Sequence, residues 1–395
     1  MSCMKTRKPT THLSRRRFFQ FAALGSVGAA LMPSWAVRAA TETTDEKPAT
    51  NIADALAYPR TPDSMPGRYP GKVVKVHDER SIIDNQIQES AAYDMIATAM
   101  LQLTGAPDLK AAWRTFVSPD DRIGLKVNPI GAKLLSTSLE VIRSVIRQLE
   151  EAGIPREHIL IWDRRETQLY ECGIDTASFP GITIKGTEYQ DEGGSFYDAE
   201  GRFLSEQRID KDWYYWADVE GEYDAYTLPY MVNGGKYSYF SSIVTKDLDK
   251  IINLPILKNA GSSVTLCMKN LAYGAITNTG RLHKQLWGET SAQVCAFPPL
   301  RDKVVLNIVD GLRGCYDGGP GANPQFFTDY KTILAGTDPV AVDRIGYEMV
   351  VAKRIQEGKQ EAEKPSSRKF LALAEEYGLG IADINKIDLK SIEQG

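Results

Sequence analysis

The feature that most constrains this chain is an alternation of short apolar runs with capped amphipathic stretches between residues 71 and 162. The run GKVVKVHD from Gly71 alternates as a half-buried strand does, and His77 sits near its end. Over residues 84–103, Ile87, Ala91, Met95, Ala99 and Leu103 recur at helical spacing, and Gly105-Ala106-Pro107 is the stop. DRIGLKV, residues 121–127, is the next strand and carries Lys126 and Asn128 to its exit. Ser136-Thr137-Ser138 then caps a helix that runs to Glu151 and is closed by Gly153 and Pro155. Residues 158–162 form another strand, which delivers Asp163 and Arg164. Strand, helix and strand at this spacing are βαβ units with right-handed crossovers. The predicted fold is therefore α/β: a mainly parallel sheet with helices on both faces.

Ligands of open α/β sheets bind outside the carboxyl ends of the strands. The stretch KIINLPILKNAGSSVTLCMKNLAYGAITNTGRLH, residues 250–283, supplies another such exit. It reads as a buried strand over 251–257 delivering Lys258, a Gly/Ser turn at Gly261, Ser262 and Ser263, a helix with Lys269 and Asn270, and a polar loop to His283. A helix started by such a turn presents backbone N–H groups and a positive end, a place for an anion. The alternative is a plain strand–turn–helix unit with a solvated lysine. A further strand over 303–309 delivers Asp310 and Gly311. Each exit residue alone is an ordinary loop or cap; recurrence at several exits is what suggests one rim.

Between residues 167 and 245 the pattern changes. Gly193-Gly194 and Gly234-Gly235 are interleaved with aromatics such as Trp213, Tyr214, Tyr215, Trp216, Tyr223, Tyr226, Tyr230, Tyr237 and Tyr239. This predicts an aromatic-rich irregular or antiparallel insertion lying as a lid or wall over the sheet edge. Its rings suit a sugar, or equally pack the insertion's own core. Later, residues 316–324 form a Gly-rich loop without nucleotide-binding spacing, residues 332–335 a short strand, and Asp338-Pro339 the start of a helix that holds Asp343 in its second turn.

The N-terminus is an address. Ser14-Arg15-Arg16-Arg17-Phe18-Phe19-Gln20, a weakly apolar segment over 21–32 and small residues at Ser34, Ala36 and Ala39 form a twin-arginine signal peptide over 1–39. The expected partner is the twin-arginine export machinery, and the expected location is periplasmic or extracellular, with no stable membrane span after cleavage. Residues 40–70 are predicted to be a linker or surface arm, and 71–390 a single α/β domain. A net charge of −4 gives no reason to expect a nucleic-acid partner. Cys172, Cys267, Cys295 and Cys315 lack CxxC spacing, so there is no intrinsic iron–sulfur motif; disulfides and buried thiols both remain open.

Several short motifs occur in a fixed order: Lys126-Val127-Asn128, Trp162-Asp163, Asn253-Leu254-Pro255-Ile256-Leu257-Lys258, Met268-Lys269-Asn270-Leu271, Arg281-Leu282-His283, Asp310-Gly311 with Gly318-Gly319-Pro320, and the run from Ala335 to Asp343. With them the chain resembles the domain of unknown function 362 family, in its branch exported with a twin-arginine signal, over roughly residues 73–347. The resemblance implies an α/β domain and a family without a generally assigned reaction. Some relatives carry ferredoxin cysteines that this chain lacks. Relatives often show a histidine or threonine pair after the motif lysine, where Asn259-Ala260 stands here, which leaves His283 as the histidine candidate.

Two functional classes are compatible with these residues. The first is an exported enzyme acting on an anionic or hydroxylated small molecule or glycan. Its catalytic candidates are His283, Asp310 and Lys258, and its substrate-binding candidates are Lys126, Asn128, Asp163, Lys269 and Asn270. A divalent metal would sit on Asp310 and Asp343, with Asn270. The second is a periplasmic binding or accessory protein for a redox or carbohydrate-processing system. Catalysis requires His283 within hydrogen-bond reach of a carboxylate; binding needs only donors facing one pocket.

Overall fold

The computed structural model describes residues 47–221, 235–261, 263–359 and 365–395. The expected signal peptide at 1–39, Ser262, and the ring positions Tyr223, Tyr226 and Tyr230 lie outside them.

Fourteen strands occur among the described residues: β1 (Lys72–Asp78), β2 (Ile82–Ile83), β3 (Gln86–Ile87), β4 (Ile123–Lys126), β5 (Ile159–Arg165), β6 (Thr183–Glu188), β7 (Ile209–Trp216), β8 (Tyr237–Ser241), β9 (Lys250–Asn253), β10 (Ile256–Ala260), β11 (Ser263–Thr265), β12 (Val304–Cys315), β13 (Phe327–Gly336) and β14 (Asp388–Gln394). The main sheet runs β14-β1-β13-β12-β9-β4-β5-β6, with β10 and β11 attached beside β12. Along that path only β13 opposes its neighbours; the others run one way. The fold is α/β, as the βαβ spacing predicts.

The helices are α1 (Ile52–Ala57), α2 (Glu89–Thr104), α3 (Leu109–Arg114), α4 (Leu139–Glu151), α5 (Glu166–Glu171), α6 (Cys267–Ala275), α7 (His283–Gln293), α8 (Pro298–Arg301), α9 (Pro339–Gln356) and α10 (Lys369–Glu376). Two apolar clusters pack them on the sheet. One holds α2, α3 and α4 through Met95, Ile96, Trp113, Val141 and Val145 against Ile123, Ile159 and Ile161. The other holds α6, α9 and α10 through Met268, Leu271, Val342 and Phe370 against Trp162 and Ile251. Strand residues that alternate between the faces, Ile161 and Trp162 among them, join the clusters from opposite sides. Strands buried on both faces read as continuous apolar runs.

Several boundaries differ from the sequence reading. The strand expected over 251–257 is broken at Leu254-Pro255, so Lys258 lies inside β10 and Asn253 is the residue that ends β9. Proline cannot donate to a ladder, so the break falls where Pro255 stands. The insertion begins later than residue 167, because β6 is the edge strand of the main sheet; beyond β6 the chain forms the separate β7–β8 antiparallel pair. Within that pair Tyr214, Tyr237 and Tyr239 pack on one another, and Tyr215 is buried with its hydroxyl donating to Gln293 Oε1 at 2.7 Å.

Residues 47–70 form an arm fastened to the body. Ala55 and Met65 are fully buried, and Arg301 donates to the carbonyls of Tyr58 at 3.2 Å and Pro59 at 2.6 Å. All four cysteines at 172, 267, 295 and 315 are buried and form no disulfide. Among the described residues no helix is long and apolar enough to cross a membrane.

Candidate anion-binding site

Strand register sets the floor of the site. Lys126, Asn253 and Asn307 stand opposite one another on β4, β9 and β12. Paired strand positions put their side chains on one face, here beneath α6. Lys126, only 1% exposed, is ion-paired to Asp163 at 2.6 Å and donates to Val127 O at 2.7 Å and Asn270 Oδ1 at 3.1 Å. Burial lowers its pKa, and the Asp163 carboxylate pulls it back up. Asn270 donates to Asn253 Oδ1 at 2.8 Å, and Asn253 donates to Asn307 Oδ1 at 3.0 Å. Asn128 donates to Asn270 Oδ1 at 3.0 Å and accepts from Lys258 Nζ at 2.9 Å.

This inner network engages most of the groups expected to meet a substrate. The amides of Asn128 and Asn270 bond to one another and accept from lysines. Lys258 is fully buried; its ammonium ties Asn128 Oδ1 to the carbonyl of Ile130 at 2.5 Å. It does not reach the cavity surface as a catalytic group would. Burial lowers its pKa to about 7.

The expected catalytic and metal carboxylates are helix caps. Asp310 accepts from Ser138 N at 2.8 Å at the start of α4, with its pKa raised by burial. Asp343 accepts from Cys267 N at 2.6 Å and Met268 N at 3.0 Å at the start of α6. Those N–H groups are the ones the sequence suggested for a ligand; a carboxylate of the protein itself takes them. Asp310 and Asp343 therefore serve helices on opposite faces of the sheet. Among the described residues no group of three or more His, Cys, Asp and Glu side chains could hold a metal ion. Asp310 also lines a different cleft from His283.

Above the network lies a cavity of about 70 Å³, lined by Asn128, Asp163, Arg164, Thr265, Lys269, Tyr273 and His283, with Pro320 at its edge. That is room for a few waters or one small ion. Four lining groups differ from the network below. Lys269 Nζ stands over the rings of Tyr273 at 5.7 Å and Trp287 at 6.0 Å; among the described residues it has neither a hydrogen bond nor a carboxylate, and burial lowers its pKa to about 8. Thr265 is 4% exposed and its buried hydroxyl has no partner there. Arg164 has a buried Nε without a hydrogen bond, 3.6 Å from Glu188; its Nη1 donates to the Thr279 hydroxyl.

The fourth, His283, opens α7 at the cavity mouth, its ring 4.5 Å from that of Tyr273. Its Nδ1–H donates to Thr279 O at 3.1 Å, since a carbonyl can only accept, and Nε2 is left as the basic nitrogen. The crowding around the ring, then the cations Lys269 and Arg164, lower its pKa to about 4. Much of the residue's surface is exposed, which argues for a smaller shift than the crowding alone; the two cations fix the direction. No carboxylate accompanies it among the described residues.

Residues 222–348 match a family model described as Domain of unknown function (DUF362). Over that segment the chain is similar to DUF362. That segment supplies Lys258, Thr265, Lys269, Asn270 and His283, while Lys126, Asn128, Asp163 and Arg164 precede it. The DUF362 match thus covers the later part of the span over which the motifs suggested resemblance, and the site is completed by strands outside it. No curated protein matches the chain. A crystal structure of a Thermotoga maritima protein from a structural-genomics programme is 10% identical at a TM-score of 0.34; the match covers 68% of this chain and 59% of that one.

Sequence reading named Lys126, Asn128, Asp163, Lys269, Asn270 and His283, which the structure gathers at or just below one cavity. It missed Thr265, Tyr273, Asn253 and Asn307 as site residues. Asn253 and Asn307 are single polar positions in apolar strands, and only their register reveals them.

Proposed function

We propose that this protein captures a small anionic molecule, with the charged group seated at Lys269. The observation that carries the reading is a half-buried ammonium with no counter-ion among the described residues, beside the unpartnered, buried Thr265 hydroxyl that lines the same cavity. An uncompensated buried charge is costly and a ligand's charge offsets that cost. Donors facing one pocket, without a carboxylate on His283, support binding more directly than catalysis by that histidine.

A second reading, an enzyme acting on that molecule, is favoured by one feature. The Thr279 carbonyl fixes the His283 tautomer and leaves Nε2 unprotonated, as an acceptor at the mouth, at physiological pH. Export by the twin-arginine route, to the periplasm or beyond, rests on the N-terminal sequence. A glycan ligand would use a different cleft, of about 330 Å³, where Tyr58 and Trp213 face one another at 5.1 Å beside Asp54 and Asp212.

The test is calorimetric titration with acetate and with phosphate. The reading predicts saturable binding of at least one of them, lost in Lys269→Met. No heat with either anion would overturn it. His283→Ala separates the two classes: unchanged anion binding with loss of a turnover found by substrate screening supports the enzyme, and unchanged turnover removes His283 from catalysis.

A further inference from the structure

The charges around the cavity do not balance, and the surplus indicates what kind of anion belongs there. Lys126 is compensated by Asp163 at 2.6 Å. Arg164 and Arg165 share the buried Glu188, at 3.6 and 3.2 Å. Lys269 has no carboxylate among the described residues, and neither does Lys258. Lys258 stands directly across the β10–β11 ladder from Thr265, so the two side chains share a face. Its ammonium is one hydrogen bond behind Asn128, a residue of the cavity wall. Two lysines therefore stand at this point without an ion-paired carboxylate among the described residues, one lining the cavity and one a single side chain behind it.

We infer that the cavity takes a dianionic phosphoryl-type head group, the free phosphate ion or the terminal phosphate of a small monoester, in preference to a carboxylate. This rests on the anion-binding reading above. A monoanion would leave one ammonium uncompensated in a medium of low effective dielectric, where an unpaired charge is most costly. Thr265 Oγ1, buried and without a hydrogen bond, adds a donor to the Lys269 ammonium, matching an acceptor with more than one oxygen, while Arg164 Nε is turned to Glu188. The cavity has room for the head group only. The organic part of an ester would lie outward, past Tyr273, His283 and Pro320. Asp163 also lines the cavity, but its charge is already met by Lys126.

Proton linkage gives a second readout. Lys258 and Lys269, with pKa values near 7 and 8, are only partly charged at pH 8. A dianion raises both values, so binding draws protons from the buffer.

The experiment is isothermal titration calorimetry at pH 8 with phosphate, methyl phosphate and acetate, in two buffers of different ionisation enthalpy. The expected result is that phosphate or methyl phosphate binds at least about tenfold more tightly than acetate, with net proton uptake. The tighter of the two phosphates tells the ester from the free ion. Lys258→Met should narrow the phosphate-over-acetate ratio, and Lys269→Met, which removes an ammonium facing the cavity, should abolish phosphate binding if the first variant does not fold. Acetate binding as tightly as phosphate, without proton uptake, overturns the dianion inference and leaves the anion site standing. No binding of any of the three overturns both.

Discussion

Two layers of polar residues lie one above the other under α6, and they differ in how they meet their hydrogen-bonding needs. In the lower layer Lys126, Asn128, Asn253, Asn270 and Asn307 satisfy one another, and Asp163 neutralises the lysine. In the upper layer the half-buried Lys269 ammonium, the buried Thr265 hydroxyl and the buried Arg164 Nε have no hydrogen-bond partner among the described residues. A fully satisfied buried network holds a structure in one arrangement; a partly satisfied one is a place for something else to bind. The comparison shows why conspicuous lysines are poor guides by themselves. Lys258 and Lys269 are eleven positions apart by their numbers in the sequence, yet one ties a loop and the other faces a cavity.

Disturbing the lower layer should have the largest effect. A Cβ at Gly274 would collide with Lys126 Cε and stand 2.7 Å from its Nζ and 2.9 Å from Asp163 Oδ1. Gly274→Ala should therefore cost about 3–5 kcal/mol in urea unfolding, the range for breaking a buried pair. A loss below about 1 kcal/mol would mean the pair is easily rearranged and the layers less distinct than described.

Next comes the cap that holds α6 over both layers. Asp343→Ala leaves the buried N–H groups of Cys267 and Met268 without their acceptor. The expected loss is about 1–3 kcal/mol for each orphaned group, also read by urea unfolding. If the variant instead folded normally and lost a bound metal, Asp343 would be a ligand and not a cap.

A smaller effect sharpens the assignment of Lys258. Its folded pKa of about 7 lies below the unfolded lysine value of about 10.4. Between these values the unfolded chain holds more protons, so this residue makes stability rise with pH and its benefit is lost as pH falls towards 7. Lys269 acts in the same sense above about 8. Denaturation at pH 7 and pH 8 should show a rise in wild type that Lys258→Met largely removes. An identical rise in the variant would place the titration elsewhere.

Much of the framework was legible because the apolar runs are bounded by local stop signals. Gly105 does close α2, and Asp338 does cap α9 with bonds to Val340 N and Ala341 N. The candidate site was less legible, for a physical reason visible in particular residues. Ser138, a good local cap, makes no capping bond; α4 is served by Asp310, 172 positions away. The start of α6 is served by Asp343, 76 positions from Cys267. A carboxylate recruited from so far away leaves no periodic trace, so Asp310 and Asp343 looked like reactive groups. Asn253 and Asn307 were hidden in the same way, since register across parallel strands follows from the assembled sheet.

The division between the two layers is tested most directly by the thermal stability of two lysine-to-methionine variants measured side by side, Lys126→Met and Lys269→Met, in anion-poor buffer. The account predicts opposite outcomes. Lys126→Met strands the Asp163 carboxylate and should lower the unfolding free energy by about 3–5 kcal/mol. Lys269→Met removes a half-buried charge without an ion-pair partner among the described residues and should leave the melting temperature unchanged or higher. Equal destabilisation by both would contradict it, because Lys269 would then be part of the structural network and not a group held ready for a ligand.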